Sequence, residues 1–160
     1  MGDAALAETL YVWADRMVPS GYWTAKTAVD CLQRESSGEF PSGTYLHYLR
    51  LEGEPRAKRA QSLERLVERL PTFAPAWKDL AVLRKAPEAR AEAIERGLAA
   101  RPDPETRAFL LIYRAQLLEA RGANDEATKL LMSLLDPASG TLQTTALARL
   151  KLATAVAQEH

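Results

Sequence analysis

His47 is the side chain best suited by type to move a proton, and it stands in YLHYLR between Tyr45 and Tyr48. An imidazole flanked by two phenols could act as a general base or hold a small polar ligand between helices. The other histidine, His160, is far away in sequence, so His47 is expected to be a surface or half-buried residue. Cys31 falls at helical spacing with Ala28 and Leu32, which reads as a small core residue rather than a nucleophile. As the only cysteine it forms no intrachain disulfide and cannot build a four-thiolate metal site. Lys78 and Lys85, seven apart, could meet a carboxylate, but a salt-bridged surface lysine is the simpler expectation. Arg90, Arg96 and Arg101 could bind phosphate, yet Glu88, Glu92 and Glu95 interleave with them and point to ion pairs along a helix. The chain has no Gly-rich phosphate loop, no paired-histidine metal motif and no Gly-x-Ser-x-Gly elbow. The expectation is therefore a non-enzymatic protein with no catalytic residue, no metal and no cofactor.

The bulk composition narrows the classes further. A chain of 160 residues, 47% apolar, is about one domain long and too rich in core formers to be mainly disordered. Basic and acidic residues balance at 21 each, which argues against nucleic acid or an anionic membrane as partner through net field. MGDAALAETLYVWADRM carries early acids and is no secretory signal, and Leu6 stands where a myristoylation motif needs Ser or Thr. No apolar run approaches the ~20 residues that span a bilayer. A cytoplasmic protein is expected.

The elements that must position these groups all read as helices. Leu6, Leu10, Trp13 and Met17 share a face over 3–18, and a second helix is expected at about 22–35 with Ala25, Ala28, Val29 and Leu32 inward. SSGEFPSG, at 36–43, is the best joint in the chain. A short helix from Thr44 carries Leu46, Leu49 and Leu51. The next buries Ala60, Leu63, Val67 and Leu70 and stops at Pro71. Trp77 and Leu80 turn inward from a helix starting near Ala74, and Pro87 suits the first turn of the following helix, which buries Ala91, Ile94 and Leu98. Asp103-Pro104-Glu105 is a strong helix start, and Gly122 ends that helix. Asn124 is expected to cap the next, with Leu130, Leu131 and Leu134 inward. A last helix, about 141–158, is expected to bury Leu142, Ala146, Leu150 and Ala153. The tryptophans read as core or interface anchors.

LERLVERLP at 63–71 and IERGLAARP at 94–102 repeat one another thirty-one residues apart. The same shift lays Leu46 on Trp77, Leu49 on Leu80, Ala60 on Ala91 and Val67 on Leu98. An offset of roughly 35 brings in a third unit ending at Pro137. One helix pair cannot bury its own apolar stripe, so a periodic sequence implies stacked pairs with a continuous core.

RAQLLEARGANDEATKLLMSLLDP, at 114–137, resembles the tetratricopeptide repeat (TPR): Ala115, Gly122, Ala127, Leu131 and Pro137 match in kind. Ala74–Asp103 resembles it again through Trp77, Leu80, Ile94, Gly97 and Pro102. The resemblance spans about 44–137. The middle units are about three residues short of the usual ~34, Arg90 replaces an expected alanine, and Pro137 comes two places early. It implies an all-α, right-handed helix-hairpin solenoid. An N-terminal helix pair at 1–40 would be a degenerate repeat or cap, three pairs would fill 41–140, and 141–160 would close the array. It further implies a scaffold or adaptor that receives a peptide or partner helix in a concave groove lined by the first helix of each unit. Carried over residue by residue, that face holds His47 and Leu51, then Lys78 and Val82, then Phe109, Ile112 and Gln116. Family members that clamp C-terminal carboxylates have lysine at the position of Lys78, but their asparagine four residues later is Val82 here, which counts against a clamp. FLLIY, at 109–113, is apolar all round, so its helix is either sandwiched or exposes a binding surface. Two other readings are a homodimerising structural module using Trp13 and Trp23, and a small-molecule or enzymatic domain built around His47.

Overall fold

The computed structural model describes residues 26–158. The expectations for 3–18, for Trp13 and Trp23, and for His160 lie outside the described residues. Among those described, the chain is all-α, with eight helices and no strand. They are α1 (Lys26–Ser36), α2 (Thr44–Arg50), α3 (Arg56–Arg69), α4 (Ala74–Leu83), α5 (Pro87–Ala99), α6 (Pro104–Ala120), α7 (Asn124–Ser133) and α8 (Leu142–Gln158). Single 3-10 turns at Leu51–Gly53 and Pro137–Ser139 follow α2 and α7.

Local chemistry sets most boundaries. Pro75, Pro87 and Pro104 lie in the first turns of α4, α5 and α6, where a missing N–H leaves no bond unmade. Asp103 caps α6, its Oδ2 accepting the N–H groups of Glu105 and Thr106 at 3.1 Å each. Gly122, at φ 80°, takes the left-handed turn that ends α6. Asn124 differs from expectation: it is the first residue of α7, and Ala123 occupies the cap position without a side-chain bond.

From α3 onward each helix packs against the next, and α4 also meets α6 while α6 meets α8. Two apolar clusters fill the interior. One gathers Tyr48, Leu63, Phe73, Trp77, Leu80 and Ile94; the other gathers Ala108, Leu111, Ile112, Ala127, Leu131 and Ala148. The helix α6 contributes to both, which accounts for its all-round apolar sequence. Gly97 lets α5 close on it: a Cβ there would come within 2.8 Å of Leu110 Cδ1 and 3.1 Å of Trp77 Cβ.

Helix α1 packs on α2 and, across a long sequence separation, on α6. Lys26 Nζ donates to the Gly140 carbonyl just before α8 at 2.7 Å, and Thr27 reaches the start of α6. The loop after α1 inserts Phe40 edge-on against Phe73 at 5.4 Å, at the start of α4. Phe40 is fully buried, although its segment reads as a polar joint.

Two predicted faces are corrected. Leu46 is 44% exposed, because α2 turns Tyr48 inward in its place. On α8, Ala146, Leu150 and Ala153 face outward, with Leu150 64% exposed, while Thr144, Thr145 and Ala148 are buried. The small residues win because α8 approaches α6 closely: Gly140 leaves no room for a Cβ between Thr144 Oγ1 and Ala108 Cβ.

Candidate functional site

Two neighbouring helices, α4 and α6, bring together most of the side chains expected at a binding face. Lys78 Nζ sits 5.5 Å above the Phe109 ring, a cation–π contact between half-buried side chains. Phe109 leans on Tyr113 at 6.2 Å, one turn further along α6. Val82, 42% exposed, then shares with Tyr113 and Gln116 the wall of a cleft of about 180 Å³, whose other sides include Arg90, Ile94 and Leu117. Lys78, Val82, Phe109 and Gln116 are thus joined into one strip with an apolar floor and polar edges.

Three expected residues do not join it. Leu51 is buried in the first apolar cluster. Ile112 is 2% exposed and belongs to the second cluster, where it packs with Leu111 and Ala115. Neither can touch a partner; α6 is sandwiched, so the side of the helix that carries Ile112 is interior. His47 is exposed on α2 and does not line the cleft. Tyr45 and Tyr48 stack on each other at 6.0 Å rather than around His47, and Tyr48 is buried.

Asp79 organises the floor beside the strip, and sequence reasoning passed it over. Its Oδ2 accepts from Tyr48 and from Arg59 Nη2, both at 2.8 Å, and its Oδ1 lies 3.7 Å from Lys78 Nζ. Burial, with the charge of Asp79, pushes the Tyr113 phenol above its ordinary range, so Tyr113 stays a neutral donor. An acid followed at one residue by hydrophobics gives no local sign that it will gather a tyrosine and an arginine from the two preceding helices.

Of the three arginines expected to pair along α5, only Arg96 does so with an interleaved glutamate. Arg96 pairs with Glu92 at 3.4 Å, one turn away, and Arg101 with Glu39 at 2.5 Å. Arg90 Nε instead donates to the Arg84 carbonyl at 2.6 Å. Arg84 holds Glu64 and Glu92 at 2.9 and 3.2 Å. Lys85 is exposed beyond the end of α4, whereas Lys78 is half-buried within it.

A wider, more polar crevice of about 500 Å³ lies between α6, α7 and α8, walled by Glu119, Asn124, Thr128, Leu150, Lys151 and Thr154. Among the described residues, no group of three or more His, Cys, Asp or Glu side chains is arranged to hold a metal ion, and no helix is long and apolar enough to cross a membrane. Comparison with protein-family models, with curated proteins and with solved structures found no match.

Proposed function

We propose that this chain is a TPR-like helix-hairpin array that captures an extended or helical segment of another protein along the α4–α6 strip. One observation carries the reading: positions thirty-one residues apart are neighbours. Tyr48 bonds to Asp79, Lys78 covers Phe109, and Val82 faces Tyr113 across the cleft. Stacked units place corresponding positions of neighbours side by side; thirty-one is the sequence repeat between the first two units, and the first helices of the second and third start at Ala74 and Pro104, almost the same interval apart. A closed bundle has no reason to keep that interval. The pairs α2–α3, α4–α5 and α6–α7 are then the units, with α8 as the closing helix.

The strip suits peptide capture. Phe109, Tyr113 and Val82 offer apolar anchors, and Lys78, Arg90 and Gln116 supply polar groups at its margin. Held by packing before a partner arrives, these groups lose little freedom on binding. The double variant Val82→Glu with Phe109→Ala tests this, with binding read as retention of proteins from a cell lysate on the immobilised chain. Retention specific to the wild-type strip should fall at least about tenfold, a loss of ~1.4 kcal/mol. The melting temperature should fall only modestly, because Val82 is 42% exposed and Phe109 is half-buried at the edge of the strip. Unchanged retention by a folded variant sinks the assignment of the strip.

A second reading, a self-associating module, is favoured by the outward apolar side chains of α8, Leu150 and Val156. Light scattering across a concentration series separates the two: a constant dimer mass that Leu150→Lys abolishes supports self-association.

A further inference from the structure

Helix α1 crosses the starts of four other helices. Lys26, its first residue, donates through Nζ to the Gly140 carbonyl, two residues before α8, at 2.7 Å. The Thr27 hydroxyl lies 2.9 Å from Asp103 Oδ2, the cap of α6, and 3.1 Å from Glu105 Oε2 in the first turn of that helix. At the other end Glu35 accepts the backbone N–H groups of Gly43, Thr44 and Tyr45 at the start of α2. The loop that follows brings Phe40 back onto Phe73, the residue before α4, with ring centroids 5.4 Å apart. Arg34 holds that loop in place. Its guanidinium lies 4.4 Å from the Phe40 ring centroid, donates to Glu39 at 2.8 Å and reaches the Arg101 carbonyl, in the turn before α6, at 3.4 Å. Thr27, Glu35, Phe40 and Asp103 are all buried, so these anchors sit in the interior rather than at a fraying surface.

The helices crossed are α2, α4 and α6, the first members of the three pairs, and α8, the closing helix. Stacking holds each pair only to its neighbours, and the small rotation from one pair to the next adds up along an array. Helix α1 packs on both α2 and α6, which belong to the first and third pairs, so it ties together members that stacking leaves apart. Its eleven residues make a rod of about 16 Å, which does not stretch while it stays helical. We propose, resting on the array reading, that α1 and its loop are a strut that fixes the spacing of these four helix starts and so sets the width of the strip between α4 and α6. Strut and strip are then coupled in both directions. A partner that fits the gap set by α1 holds α1 in place, and a partner that needs a wider gap must first release it.

Distances between two spin labels on the full chain test this without any ligand. Leu46→Cys on α2 and Leu150→Cys on α8 put the labels at exposed sites, in a Cys31→Ala background that removes the one native thiol. With the strut intact the pair should give one narrow distance distribution. Lys26→Met with Thr27→Val removes the side-chain bonds to α8 and α6. The distribution should then broaden and its mean shift, while hydrogen exchange quickens in α1 and stays slow in α5 and α7. Leu32→Glu, which forces a charge onto the buried face of α1, is the stronger release and should act the same way. A distribution unchanged in both variants overturns the strut and leaves the array standing. Protection lost equally from every helix overturns both, because α1 is then part of one closed core.

Discussion

Tyr48 donates to Asp79 from a position almost closed to water, and burial beside that carboxylate pushes its phenol far above the ordinary tyrosine range. The hydroxyl therefore remains a donor through the pH range in which an ordinary tyrosine ionises. Asp79 would keep Arg59 and Lys78 after loss of this bond, so Tyr48→Phe leaves no orphaned charge and should cost only ~1 kcal/mol, read from the shift in a urea midpoint. Glu35 is a harsher case. It projects from the last turn of α1, is buried, and accepts the backbone N–H groups of Gly43, Thr44 and Tyr45 at the start of α2. A helix of seven residues is too short to hold itself, so this borrowed cap fixes α2 in place. Glu35→Ala takes this acceptor from three amides, of which Thr44 keeps the Pro41 carbonyl at 3.2 Å, and should cost about 1–3 kcal/mol, with lost exchange protection concentrated in α2. Neither role was readable from local sequence. The capping pattern that announces Asp103 works over two or three residues, whereas Glu35 acts on amides eight to ten residues on, and Asp79 on partners twenty and thirty-one residues back.

Helix α8 shows why ends are easier to read than faces. Thr141 and Thr144 cap its start reciprocally: each N–H finds the other's hydroxyl, at 2.9 and 3.3 Å. Immediately before them Gly140 lies so close to α6 that a Cβ would fall 2.3 Å from Thr144 Oγ1 and 3.0 Å from Ala108 Cβ. Its backbone is extended, so any residue suits the conformation and only space is at issue. Gly140→Ala should then lift α8 off α6 at a cost of about 1–3 kcal/mol, seen as faster exchange in α8 with α3 to α5 unchanged. The same closeness explains the misread face. Apolar residues fall on more than one side of α8, and periodicity cannot rank the sides. Size does: Thr144 and Ala148 permit the approach to Ala108 that Leu150 would block. On α6 the ambiguity resolves the other way. The sequence is apolar all round because the helix is buried on two sides, which removes Ile112 from the expected groove and leaves Phe109 and Tyr113 at its edge. Prolines, glycines and Asp103 act within one turn and were legible; which stripe meets which neighbour depends on contacts made far along the chain.

At the scale of the molecule, the two apolar clusters meet at α6, with Leu98 and Tyr113 packed against both. If stability is carried by each pair resting on the next, damage should stay near where it is made and spread only through that shared helix. Leu131 and Leu63 are both fully buried, at opposite ends of this arrangement, on α7 and α3. Truncating either to alanine removes similar apolar volume and should cost about 2–5 kcal/mol locally. In Leu131→Ala, exchange should accelerate through α7 and α8 while α3 and α4 keep their protection. In Leu63→Ala the order should reverse. Leu110→Ala, on the shared helix, should loosen both ends together and give a single broadened transition. One closed core would instead respond cooperatively, with every helix losing the same protection whichever leucine is cut. Uniform loss in all three variants would therefore remove the stacked-unit reading. With it would go the expectation that Lys78 and Phe109 line a surface repeated from one hairpin to the next.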